Sequence, residues 1–412
     1  MRVLAYTSPA RGHLNPMMEA LVELRRRGAE VHVRTLSSQV ETVRGAGLAC
    51  EPIDPAIEAL VHDDHEARSQ IAAGRRSFAT FASRSPYDAP DFAAALEAVR
   101  PDVSLVDVTC FGAKAVAERE GIAWAESRPF LLEEQAPGVP PFGLGLRPLP
   151  GVLGRLRDVA LGFTSKAFDK RARLPVVNAG RRAAGLPKLE LGDEWRHRAP
   201  LTLYWTAEPF EYPRPLPAGV EMVGPGLWDT AADAPFDLPG DERPLVLVAC
   251  SSEFQDDGAI AAAALAGLRD RWRLAVTTAG VDPAVLGERG DALLARFLPH
   301  SPLLERASAV VCHGGMGVTQ KALSFGVPVC VVPWGRDQLD VAAHVVEAGA
   351  GTKLSRKKLT PRRLAAAVEK TLACAPGAAA VKAGYEAAGG PARAAVLLEA
   401  CAGKGPQRAK RT

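Results

Sequence analysis

Three short stretches carry side chains whose type and spacing can do chemistry. The first is Arg11-Gly-His13-Leu-Asn-Pro16. It follows an apolar run, Val3 to Thr7, and precedes a segment, Met17 to Arg27, whose Met17, Leu21 and Leu24 share a helical face. The spacing predicts a loop between the first strand and the first helix. Ligands of open α/β sheets bind outside the carboxyl ends of the strands, so His13 is aimed at a crevice and Gly12 leaves its approach open. A lone histidine there can equally make one local hydrogen bond and nothing more. Asp107 adds a partner, because it ends the run Val103 to Asp107 at the same sheet edge. A carboxylate there can hold an imidazole in one tautomer and stabilise the imidazolium. Its plainer role would be to cap a helix near 110–120.

The second stretch is His313-Gly314-Gly315-Met-Gly317-Val318-Thr319, between an apolar run at 309–312 and a helical pattern at 317–325. Glycines let a ligand approach the backbone, and a helix N-terminus offers free N–H groups and the positive end of a dipole. That suits a phosphate or diphosphate, although a glycine turn can also be purely structural. The third is Trp334-Gly-Arg-Asp337-Gln338, beyond the run 327–332 on the same edge. Asp337 and Gln338 offer adjacent acceptor and donor groups suited to sugar hydroxyls, or Asp337 merely caps the helix expected at 338–348. Ser251 and Ser252, after the run 245–249, can donate to a phosphate.

Short apolar runs alternating with helical patterns require an α/β fold with parallel, doubly wound sheets. The first set runs through 3–7, 31–33, 103–107 and 122–125. The pattern breaks at 54–90 and again at 129–165, the latter rich in Gly, Pro, Phe and Leu. A Pro-rich stretch follows, in which only Val220 to Val223 reads as a strand, and 225–242 reads as a linker. The pattern then restarts at 245–249, with further strands at 274–277, 309–312 and 327–332. Helices are expected at 258–270, 317–325, 338–348, 360–373 and 391–402. Two Rossmann-like halves result, 1–224 and 243–390.

Composition removes other classes. The 412 residues carry 50 Lys plus Arg against 47 Asp plus Glu, a net charge of +3. Four of those positive charges, Lys404, Arg408, Lys410 and Arg411, lie in the tail 404–412, which is expected to be disordered. The rest of the chain is near neutral, so no nucleic-acid partner is expected. The seven cysteines are scattered and form no C-x-x-C, which speaks against a zinc site and fits a reducing, cytoplasmic setting. No apolar run is long enough for a membrane span.

Taken together, Gly12-His13-Leu-Asn-Pro16, Val223-Gly-Pro225, Phe297-Leu298-Pro299, the HGGMG stretch and Asp337-Gln338 resemble the GT-B glycosyltransferases, the family of the UDP-glycosyltransferases and the macrolide and enediyne antibiotic glycosyltransferases. The resemblance spans nearly the whole chain. It implies two Rossmann-like domains facing across a cleft, with helix 391–403 packing back on the N-terminal one. It implies His13 as the base that deprotonates an acceptor hydroxyl, with Asp107 as its partner. Ser251, Ser252, His313, Gly314, Gly315, Gly317, Val318 and Thr319 resemble the diphosphate set, Leu298 the segment against the base, and Asp337 and Gln338 the pair that reads the donor sugar.

Two positions depart from that pattern. Val318 stands where many relatives have Ser or Thr. Lys321 stands where many UDP-sugar users have a Glu that meets the ribose, which tilts the expected donor from UDP- toward dTDP-sugar unless Lys321 simply points to solvent. The donor is a substrate, so no cofactor is expected. No D-x-D motif occurs, so no metal is expected either. Phe78, Phe81, Phe130 and Phe142, together with Tyr87 and Phe163, lie in the two insertions and suggest an apolar or aromatic acceptor. The competing readings are an NAD-dependent oxidoreductase, which lacks its G-x-G-x-x-G here, a sugar-nucleotide epimerase, and a non-catalytic nucleotide-sugar-binding protein of the same fold.

Overall fold

The computed structural model describes all residues except 68, 191–197, 230–235, 237–241, 253–254, 256, 287–289 and 405–412. Most of the stretch read as a linker and nearly all of the basic tail therefore lie outside the described residues.

Two parallel sheets organise the chain. The first holds β1 (Arg2–Tyr6), β2 (Glu30–Thr35), β3 (Ala49–Pro52), β4 (Val103–Asp107), β5 (Trp124–Arg128), β6 (Leu201–Tyr204) and β7 (Val220–Met222), in the order β3-β2-β1-β4-β5-β6-β7. The second holds β8 (Leu245–Ala249), β9 (Arg273–Thr277), β10 (Leu293–Ala295), β11 (Ala307–Cys312), β12 (Val329–Val331) and β13 (Gly351–Lys353), in the order β10-β9-β8-β11-β12-β13. Both central strands of each switch are apolar and buried on both faces, as a strand covered by helices on two sides must be.

Each sheet reverses its winding once, between β1 and β4 and between β8 and β11. The crevice at such a reversal is where α/β folds bind ligands. Register makes the placement specific. Tyr6 pairs with Val106, so the residues after β1 meet Asp107 at the end of β4. Ala249 pairs with Cys312, so Ser251 and His313 meet in the second sheet.

The helices that frame these edges are α1 (Arg11–Arg26), α2 (Gln70–Val99), α3 (Phe111–Glu120), α4 (Gly151–Phe168), α5 (Met316–Ser324), α6 (Gln338–Glu347) and α7 (Gly390–Lys404). Among the described residues no single helix is long and apolar enough to cross a membrane. Three expectations need correction. The segment Arg11 to Pro16 is not a loop. Helix α1 starts at Arg11, because the Ala10 carbonyl already accepts the N–H groups of His13 (3.0 Å) and Leu14 (3.3 Å), and Pro16 sits inside it. The irregular 54–90 region contains most of α2, which carries both Pro86 and Pro90 internally. The cost of these two prolines is offset by packing against α3, where a Cβ on Gly112 would stand 1.8 Å from Asp88 Oδ1. The strand expected at 122–125 lies at Trp124–Arg128, and the insertion 129–165 includes most of α4.

Helix α1 buries Leu14, Met17, Met18, Leu21 and Leu24 on the first sheet, and Gly28, at φ +91°, takes the left-handed turn that ends it. The C-terminal helix α7 lies on the same core through Ala394, Ala395, Leu398 and Cys401, so the end of the chain is tied to its beginning. The Arg27–Glu399 pair at 2.7 Å sits at the edge of this contact, half in water, and adds little. Apolar burial holds the helix. Leu398→Ala should therefore cost about 2–5 kcal/mol, seen as a lower urea midpoint with an unchanged slope. A midpoint equal to wild type would show that α7 does not depend on that contact.

Candidate active site

The carboxyl edges of the two sheets face one cavity of about 750 Å³. Residues 8–13, Val108 and Thr109 wall it from the first sheet, and Ser251, Ser252, Leu298, His313, Gly315, Gly317, Val318, Asp337 and Gln338 from the second.

On the first wall His13 stands in the opening turn of α1, fixed by the helix rather than by a loop. Its Nδ1 lies 2.7 Å from Asp107 Oδ2. Asp107 is fully buried, and its other oxygen accepts Thr109 N–H at 2.8 Å and the Thr109 hydroxyl at 2.5 Å. Burial pushes this carboxyl up, but the His13 ring and the Thr109 bonds outweigh it and hold it below its usual value. Asp107 is therefore not a helix cap; Cys110 precedes α3 and offers no side-chain cap. With Nδ1 committed to the carboxylate, Nε2 is the ring nitrogen left for the cavity. Phe130 packs edge-on against the ring, with centroids 4.9 Å apart.

On the second wall α5 begins one residue earlier than expected, at Met316. Its first helical bond runs from Thr319 N–H to the Gly315 carbonyl, so the N–H groups of Met316, Gly317 and Val318 have no partner within the helix. Nothing lies within 4 Å of a Cβ placed on Gly317, which leaves this turn open. The glycines before it work differently. Gly314 takes φ +95°, and a Cβ there would meet Val331 at 2.7 Å. A Cβ on Gly315 would stand 2.5 Å from His313 Nε2, so Gly315 makes room for the imidazole itself. His313 is buried, its Nδ1 lies 3.6 Å from Asp257, and burial lowers its pKa to about 4, with the Ala249 carbonyl pulling the other way. The ring is neutral near pH 7.

Several expected roles shift. Gly314 and Thr319 do not reach the cavity wall; Thr319 is fully buried, with its hydroxyl 3.6 Å from Cys312 Sγ. Ser251 lines the cavity, but its hydroxyl accepts from Gln255 at 2.7 Å. Asp337 and Gln338 separate in function. Gln338 accepts the N–H groups of Trp334 (2.7 Å) and Gly335 (2.9 Å) and donates to Gln255 (2.6 Å), which orders the loop. Asp337 makes no side-chain cap for α6 and faces the cavity, and burial raises its pKa to about 6. Lys321 does not point to solvent. Its ammonium is buried against Asp229 and donates to the Trp228 carbonyl at 3.3 Å. Burial lowers its pKa, and Asp229 offsets part of that.

The four phenylalanines expected around an acceptor, Phe78, Phe81, Phe130 and Phe142, all line the cavity, whereas Tyr87 and Phe163 are exposed and do not. Sequence reading missed Phe111, Phe168, Phe297 and Trp124 on the same walls. It also missed Arg11, whose guanidinium stacks 4.4 Å above Phe297 across the cleft, and the Asp64–Arg336 bridge at 2.9 and 3.0 Å. Asp229 falls in the stretch 225–242 that reads as a linker. No local spacing marks Arg11, Asp64 or Asp229, because each meets its partner from the second half of the chain.

Comparisons with known proteins agree with this layout. A model of the C-terminal domain of erythromycin biosynthesis protein CIII-like proteins matches residues 284–401. The chain is 32% identical over 391 residues to 4'-demethylrebeccamycin synthase of Lentzea aerocolonigenes, covering 90% of this chain and 91% of the relative. The protein belongs to the GT-B glycosyltransferases of natural-product type. Vancomycin aglycone glucosyltransferase of Amycolatopsis orientalis is 26% identical, with 85% of each chain covered. The crystal structure of the glycotransferase of kitacinnamycin matches with a TM-score of 0.76 and 25% identity, covering 97% of this chain and 98% of that one. As a member of this family, the glycosyltransferase draws on nucleotide-sugar donors.

The neutral His313 has a thermodynamic signature. Its pKa is lowered on folding, so the unfolded chain binds the extra proton between about pH 4 and 6.5, and stability falls as pH drops through that window. His313→Gln should flatten the pH dependence of unfolding there by up to about 1.4 kcal/mol per pH unit. Identical slopes for variant and wild type would show that the folded protein already carries the charge.

Proposed function

We propose that the enzyme moves a sugar from a UDP- or dTDP-sugar to a hydroxyl of an apolar or aromatic small molecule, inverting the anomeric centre and using no metal. The observation that carries this reading is the His13–Asp107 pair, held at 2.7 Å on one wall of a cavity whose opposite wall is the open N-terminus of α5.

An acceptor hydroxyl has a pKa far above 7, so a base must take its proton as the new bond forms. His13 Nε2 receives that proton. Asp107 holds the tautomer and stabilises the imidazolium. The acceptor oxygen bonds to the anomeric carbon as the bond from that carbon to the diphosphate oxygen breaks, and a single in-line displacement inverts the centre. The leaving diphosphate gathers negative charge where the N–H groups of Met316, Gly317 and Val318 and the His313 ring can receive it. Val318 lacks a hydroxyl, but its N–H remains for this purpose. Asp337 is the side chain available to the donor sugar, on the loop that Gln338 orders. Among the described residues no group of three or more His, Cys, Asp or Glu side chains is arranged to hold a metal ion. The acceptor lies among Phe78, Phe81, Phe130 and Phe142.

His13→Ala should lower turnover by about 10²–10⁴-fold and leave nucleoside diphosphate affinity nearly unchanged, with Asp107→Asn impaired in the same step. Near-normal turnover of His13→Ala with an unactivated alcohol would sink the assignment. Gly315→Val drives a side chain into His313 and should weaken nucleoside diphosphate binding by calorimetry, and chelator should leave turnover intact.

The donor base follows from Lys321. An ammonium can only donate, and here it is already paired with Asp229, so the two-acceptor contact to both ribose hydroxyls is missing at this position. A deoxyribose donor has one fewer hydroxyl to satisfy. Side-by-side titration should show dTDP binding at least as tightly as UDP; a clear preference for UDP would overturn the reading.

A further inference from the structure

Helix α4 presents an unusual surface. Val152, Leu153, Leu156, Val159 and Phe163 are each between 62% and 76% exposed. At 100° per residue they fall on one face, with Ala160 among them. Its buried side is made of Gly154, Asp158 and Gly162. So the helix turns its large apolar side chains to solvent and its small ones to the protein, the reverse of a helix that serves only the core. Exposed Arg155 and Lys166 border the apolar face, and exposed Lys170 and Arg171 follow directly. The acidic residues between 151 and 171, Asp158 and Asp169, are both buried. The exposed face is therefore apolar and purely basic.

The same helix adjoins the cavity. Thr164, Ser165 and Phe168 line it, and so do Ile71 and Leu144, which are themselves exposed. Phe168 packs beside Gly74 at the start of α2, which brings Ile71 next to the end of α4. Phe163 of the exposed face is followed directly by Thr164 and Ser165 on the cavity wall.

We infer that α4 docks the enzyme on an anionic lipid surface and that an apolar acceptor enters the cavity from that surface. An apolar face bordered by basic side chains is the pattern that lies in a membrane interface. The apolar residues enter the acyl boundary while Lys and Arg reach the headgroups. Charge separates this occupant from a second copy of the chain, since two α4 faces would oppose basic residues with no exposed acid between them. The entry route rests on the acceptor reading of the cavity; the docking does not.

The test is co-sedimentation of the full chain with phosphatidylcholine–phosphatidylglycerol vesicles at low salt. Wild type should sediment with these vesicles, much less with phosphatidylcholine alone, and less as salt rises. Leu153→Glu with Leu156→Glu should reduce binding by about tenfold or more, and so should Lys166→Glu with Lys170→Glu. None of these four residues touches the cavity, so turnover of a water-soluble acceptor should be unchanged. Turnover of a lipophilic acceptor supplied in the vesicles should fall with binding. The lysine pair decides the matter if the leucine pair lowers the melting temperature. Wild type remaining in the supernatant would overturn the docking. So would vesicle binding that survives the leucine substitutions in a folded variant, or a concentration-dependent dimer that those substitutions dissolve. Binding to polyglutamate equal to that to vesicles would replace the lipid with an acidic protein partner and likewise overturn it. Vesicle-dependent binding with no turnover of either acceptor would count against the acceptor reading and leave the docking standing.

Discussion

A carboxylate with no exposure to water survives only if its charge is met by bonds made inside the protein, and Asp107 sets that requirement at the centre of the first sheet. Thr109 meets one oxygen with its N–H and its hydroxyl, and the other is left for the His13 ring. The arrangement joins the end of β4 to the first turn of α1 across the point where the sheet reverses. Everything upstream of the chemistry serves that contact. The β1–β4 register levels the two strand ends, and the early start of α1 gives His13 a rigid base.

The opposite wall solves the converse problem. There the fold gathers unsatisfied donors instead of a charge, and keeps them unsatisfied by leaving space. Gly317 opens the first turn of α5, Gly315 yields room to His313, and Gly314 turns the backbone so that both fit. Burial holds His313 neutral, which avoids a fixed positive charge in the cleft while leaving a polar ring on its wall. Gln338 spends its amide on the loop backbone and on Gln255, so Asp337 is carried on an ordered segment.

The two walls are held face to face by apolar packing of Leu131, Ala207 and Phe210 on the second core and by several polar contacts. Arg336 grips Asp64 with two nitrogens, Asp340 accepts the N–H groups of Gly143 (3.0 Å) and Gly145 (3.1 Å), and Gln320 donates to the Trp205 carbonyl at 2.9 Å. The polar contacts fix the orientation of two halves whose apolar surfaces also meet, at Phe210 beside Tyr385 and His344. The insertion from 129 to 150 takes part in both tasks, since Phe130 and Phe142 wall the cavity and Gly143 and Gly145 dock it on α6.

Local pattern made much of this legible. Buried strands announce themselves as short apolar runs, so 103–107 and 245–249 were readable to the residue, and the rule that ligands sit beyond strand ends pointed to His13, Asp107 and His313. Proline misled the reading at the start of the first half, where Pro16 stands before the expected helix. Proline costs a helix one hydrogen bond, yet Pro16, and likewise Pro86 and Pro90, lie inside helices whose packing outweighs that cost. What only the tertiary structure decided were pairings between residues far apart in the chain. Asp229 with Lys321, Asp64 with Arg336 and Arg11 over Phe297 leave no periodic trace, because each side chain is locally an ordinary polar or apolar residue. Their meaning comes from the partner that folding delivers.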